Sequence, residues 1–106
     1  MIKSNLSEFV NGWFLGNFYP SIKHENFEVG FKRYQKGDRE PRHHQETAYE
    51  ISVVTYGVVQ IGDEVLRENE ILLIEPGEVA SFLCIEDAGI LVVKSPSLPS
   101  DKVLDE

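Results

Sequence analysis

The amino-acid sequence predicts an all-β sandwich or barrel with little helix. Three observations carry that expectation. Short runs rich in β-branched and aromatic residues recur along most of the chain, turn signals containing Gly or Pro separate them, and helical patterning is almost absent. At 106 residues, with 42% hydrophobic and 26% charged side chains, one globular domain is expected. A domain of that size buries roughly two-thirds of the surface its unfolded chain exposes, which is enough for a core without staples.

Taken in order, Ser4 to Val10 is the one helical candidate, a turn or two with Ser4 or Asn5 as N-cap. The aromatic-dense run Trp13-Phe14-Leu15-Gly16-Asn17-Phe18-Tyr19 is expected to cap the mouth of a barrel or to bury itself against a second subunit, with a sugar-stacking platform as the alternative. Residues 1–26 are thus assigned to an N-terminal arm. Phe27, Val29 and Phe31 alternate with Glu28, Gly30 and Lys32, the period-2 pattern of a half-buried strand that Lys36-Gly37-Asp38 ends. Tyr49 to Tyr56 is a second strand, interrupted by Gly57 before Val58 to Ile61. Gly62-Asp63 then forms a hairpin turn into Glu64-Val65-Leu66. Ile71 to Ile74, Ala80 to Ile85 and Gly89 to Lys94 complete the series, with Glu86-Asp87-Ala88-Gly89 read as a turn. The barrel core is assigned to 27–95. Residues 96–106, which begin with Pro96-Ser97-Leu98-Pro99-Ser100, are expected to be an irregular tail outside it.

Composition narrows the function. The formal net charge is −8, which argues against nucleic-acid backbones and anionic membrane surfaces, since both require basic patches. The single cysteine, Cys84, permits no intramolecular disulfide and no Cys-based zinc site, and its apolar neighbours mark it as a small buried hydrophobe. The N-terminus lacks the apolar core of a signal peptide, and no apolar run approaches the ~18 residues of a membrane span, so a cytoplasmic location is expected.

Two of the three histidines fall in one segment that runs from Gly37 to Gly57. Its spacing is Gly37, five residues, His43, one residue, Gln45, four residues, Glu50, six residues, Gly57. This resembles the first motif of the cupin family, G-x5-H-x-H-x(3–4)-E-x6-G, with Gln45 in place of the second histidine. Downstream, Pro76-Gly77 and Phe82 align with the second motif, whose histidine is replaced by Ala80. The likeness covers about residues 27 to 95. It implies a double-stranded β-helix (a jelly-roll barrel) in which the motif residues converge on a divalent metal, Fe, Mn, Ni, Cu or Zn. His43, Gln45 and Glu50 are then the candidate metal ligands and equally the candidate ligand-binding residues. His43 and Gln45, two apart, leave one face of a strand. Glu50 joins that face only if the chain bulges or loops near Glu46-Thr47-Ala48, and His44 points the other way.

With Ala80 offering no donor and a neutral Gln45 a poor transition-metal ligand, the implied site is depleted, so the metal is expected to be absent or weakly held. The reading is therefore a single barrel, forming a homodimer, that binds a small polar metabolite such as a sugar derivative or carboxylate. The alternatives are a metal-dependent isomerase, epimerase or dioxygenase, and an interaction module whose aromatic segment supplies the contact. Arg39, Arg42, Lys32 and Arg33 flank the motif, as anion holders or as residues of an exposed strand face.

Overall fold

The computed structural model describes residues 1–105. Two single 3-10 turns, Leu6–Glu8 and Val10–Gly12, precede nine strands, and Asn5 caps the first through its side chain. The strands are β1 (Trp13–Gly16), β2 (Ile22–Lys23), β3 (Glu28–Tyr34), β4 (Arg39–Gln45), β5 (Tyr49–Ile61), β6 (Glu64–Leu66), β7 (Ile71–Ile74), β8 (Ala80–Ser95) and β9 (Lys102–Leu104). They form one bent sheet. Its long axis is the pairing of β5 with β8, and β8 pairs on its other side first with β4 and then with β3. The hairpin at Gly62-Asp63 joins β5 to β6, where Gly62 takes a positive φ of 58°. No described helix is long and apolar enough to cross a membrane.

Two expectations are corrected. The segment 86–89 is no turn, because β8 runs unbroken for sixteen residues. The irregularity predicted there is absorbed by bulges in the β5–β8 pairing between Val54 and Val59. Gly57 makes this possible: its φ is +84°, and a Cβ there would sit 2.1 Å from the Asp87 carbonyl oxygen. Nor do residues 96–105 of the tail expected at 96–106 lie outside the barrel. β9 pairs with β4, while Ser97 and Asp101 are buried. Asp101 anchors this end by accepting the Thr47 and Ala48 N–H groups at 2.9 and 2.8 Å. Prolines and serines there disguised a segment tied down by side-chain hydrogen bonds.

The apolar core is one cluster built on β5 and β8 that includes Val54, Val59, Phe82, Cys84, Ile90 and Val92. Cys84 is 1% exposed and its Sγ–H donates to the Glu86 carbonyl, so it packs as a hydrophobe. Beside this core the interior turns polar, and the site lies there, with Ile61, Phe82, Ile90 and Val92 belonging to both.

Candidate functional site

The strand β3 builds the first wall, and it does so with the set of residues that alternation marks as outward. Glu28, Gly30, Lys32 and Tyr34 oppose Lys94, Val92, Ile90 and Ala88 of β8 and face inward, so Glu28 is 7% exposed while Phe27 is 44% exposed. Gly30 has a specific use. A Cβ there would press within 2.8 Å of the Trp13 ring, so glycine lets the indole lie flat over β3 inside the barrel. The aromatic N-terminal segment thus closes the interior, and Trp13 is turned inward.

Both lysines use that indole. The Lys94 and Lys32 ammonium nitrogens lie 4.8 and 5.9 Å from its ring centroid. Lys94 stands between two acids in register, Glu28 on β3 and Glu50 on β5, and approaches Glu50 to 3.9 Å. Lys32 pairs with Glu40 of β4 at 3.1 Å, and the Tyr34 hydroxyl donates to the same carboxylate oxygen at 3.1 Å. Burial would raise the Glu40 pKa, but the Lys32 ammonium and the two hydrogen bonds outweigh it and hold the carboxyl below its ordinary value. Tyr34 moves the other way, pushed well up by burial first and by Glu40 second, so its phenol stays protonated.

The three residues singled out by the sequence line the same cavity, whose volume is about 440 Å³. A bulge between Glu40 and His43 realigns β4, so His43 opposes Ala80 and shares its face. The His43 ring donates from Nδ1 to the Pro41 carbonyl at 3.0 Å. Gln45 is 5% exposed, and its amide nitrogen is buried without a hydrogen-bond partner. Residues 46–48 form the loop that the parity argument requires, after which Glu50 enters β5 with its side chain on the cavity. His44, opposite Val103, binds Asp105 at 2.7 Å and also borders the cavity, although strand alternation points it the other way. His24 stacks on Phe27, away from the cavity lining.

The implied metal does not fit this arrangement. No group of three or more His, Cys, Asp or Glu side chains among the described residues is placed to hold an ion. Ala80 stands where a donor is needed, and the Lys94 ammonium already faces Glu50. Sequence reasoning passed over Glu28, Tyr34, Glu40, Ser52 and Lys94, and placed Lys32 on a strand flank without assigning it inward. The signal was available in the cross-strand row Glu28, Lys94, Glu50, where opposite charges oppose one another on three adjacent strands.

No protein-family model matches the chain, and no curated protein matches it. Solved structures do. An uncharacterised protein with a double-stranded β-helix domain from Klebsiella pneumoniae has a TM-score of 0.70 at 18% identity, over 98% of this chain and 96% of that one. Oxalate oxidase in complex with the substrate analogue glycolate reaches 0.72 at 21% identity, over 95% of this chain and 58% of its own. A cupin-2 domain protein from Shewanella frigidimarina gives 0.60 at 17% identity, over 68% and 72%.

Proposed function

The chain has the double-stranded β-helix fold of the cupins, and from that premise we propose that it binds a small polar metabolite, a carboxylate or a sugar derivative, inside the barrel. The observation that carries this reading is the convergence of His43, Gln45, Glu50, Lys32 and Lys94 on one cavity. A cavity of about 440 Å³ with apolar walls and a few convergent polar groups has the composition of a small-molecule pocket. The bound glycolate of the oxalate oxidase structure shows that a related barrel takes a small carboxylate in its own site. Because the donor set does not suit a metal, no step through one is derived, and the reading is of binding.

The test is a thermal-shift screen against sugars, sugar phosphates and small carboxylates, each run with and without a chelator. A ligand at a hundred times its Kd adds about 2.7 kcal/mol, a rise of several degrees in Tm for a domain this size. At least one compound raises Tm, and Gln45→Leu abolishes the rise. A screen in which nothing shifts Tm overturns the reading.

We further propose that the protein pairs with a second copy of itself through the outer face of the sheet. Leu73, Ile51, Val93 and Val29 form one apolar row across β7, β5, β8 and β3, and Ile71, Val53, Leu91 and Phe31 form the next. All eight are half-buried or exposed, with Ile71 63% and Leu73 52% exposed. A contiguous patch of this kind marks an association surface, and a two-fold axis through it would bring like rows together. Light scattering on the eluting protein is expected to give twice the chain mass, and Ile51→Lys with Leu73→Lys to give a monomer. A monomeric wild-type protein overturns this.

A further inference from the structure

We infer that the ligand is a hydroxylated monocarboxylate, whose carboxylate is bound by Lys94 and Lys32 and whose hydroxyl donates to Glu50. This rests on the reading of the barrel interior as a ligand pocket and specifies its chemistry. Hydrogen-bonding capacity in the cavity is left over on both sides, as donors and as acceptors. Lys94 carries three N–H donors and makes no hydrogen bond among the described residues, since its nearest acid is 3.9 Å away. Lys32 satisfies one donor on Glu40 and presents the others. Both lysines line one cavity, and both ammonium groups lie within 5.9 Å of the Trp13 ring centroid.

Donors in surplus call for acceptors, and a carboxylate brings two charged ones. The opposite shortage exists at one place. Glu50 accepts no hydrogen bond among the described residues and lines the same cavity, so a hydroxyl on the ligand has an acceptor there. Net charge selects a monoanion. Glu28, Glu40, Glu50 and Glu78 line the cavity with Lys32, Lys94 and Lys102, so a dianion such as a phosphate monoester meets more repulsion than a single carboxylate does. The two ammonium groups supply in tethered form the positive charge that a metal would otherwise contribute, which makes binding independent of added metal.

The experiment is titration calorimetry of the full chain with gluconate, sorbitol, hexanoate and glucose 6-phosphate, in the presence of a chelator. Gluconate carries both required groups, sorbitol lacks the carboxylate, hexanoate lacks the hydroxyls, and the phosphate ester tests the dianion. Gluconate is expected to bind at least about tenfold tighter than the other three. Lys94→Met is expected to weaken it about 30-fold or more, and Lys94→Arg to retain part of the affinity. Lys32→Met provides a second variant should the first fail to fold, with the same direction of effect.

Sorbitol or hexanoate binding as tightly as gluconate overturns this inference and leaves the pocket reading standing. Tighter binding of the phosphate ester, or loss of gluconate binding to the chelator, does the same. If none of the four binds while another compound of the metabolite screen does, the hydroxycarboxylate assignment falls alone. If nothing binds at all, both readings fall together.

Discussion

Gly57→Ala is expected to destabilise the protein by about 3 kcal/mol or more. Two penalties combine. A residue with a Cβ held at a φ of +84° is strained, and the added carbon would meet the Asp87 carbonyl oxygen at 2.1 Å and Ala88 at under 3 Å. Neither neighbour is a flexible side chain that can swing aside, since both contacts lie in the β5–β8 pairing that forms the spine of the sheet. Against a domain stability of about 5–15 kcal/mol, such a loss is read directly from the urea midpoint. Gly62→Ala is the control: it also has a positive φ, but nothing lies within 4 Å of its added Cβ. A Gly57→Ala midpoint no lower than that of Gly62→Ala would refute the steric account.

Asp101→Ala is expected to cost about 3 kcal/mol and to loosen the C-terminal segment from β4. The carboxylate accepts two backbone N–H groups, those of Thr47 and Ala48, and charge-assisted bonds of this type are each worth about 1.5–3 kcal/mol. Ala48 is 1% exposed, so its N–H has no water to turn to once the acceptor is gone. The same contacts set a pH dependence. Burial alone would raise the Asp101 pKa, but the Ala48 and Thr47 bonds outweigh it and leave the folded value below the ordinary one of about 3.9. A carboxyl with a depressed folded pKa contributes stability that is fully present above its unfolded pKa and is lost as pH falls through the folded one. Wild type is therefore expected to lose stability below about pH 4 more steeply than Asp101→Asn. Parallel acid-denaturation curves for the two would contradict the assignment.

The sequence made the recurrence of short strands and the shared face of His43 and Gln45 legible for different reasons. Turn residues such as Gly62-Asp63 and Pro76-Gly77 punctuate the chain at the right spacing, and the two-residue offset from His43 to Gln45 is a matter of strand geometry alone. The polar interior was not legible, because alternation tells which residues share a face but not which face is inside. In β3 the apolar set Phe27, Val29 and Phe31 faces outward, toward the surface proposed to join a second copy, and Glu28, Lys32 and Tyr34 face the cavity. A strand with an apolar set outside and a cavity inside inverts the usual assignment. Lys94 was hidden for the related reason that a lysine ending an apolar strand reads as a solvated terminus. The C-terminal segment escaped notice because its hold on the barrel depends on one aspartate reaching residues more than fifty positions earlier.

The triple partnership of β8 has a consequence for how the chain is made. β3, β4 and β5 all hydrogen-bond to it, yet residues 80–95 are synthesised after all three. A ribosome that has extruded only the first seventy-odd residues holds a set of exposed edges with nothing to dock against, a state prone to pairing with other chains. Closure must wait for a late strand to find partners 21 to 66 residues upstream, from Ile61 with Phe82 to Glu28 with Lys94, which places this barrel among slow folders dominated by distant contacts.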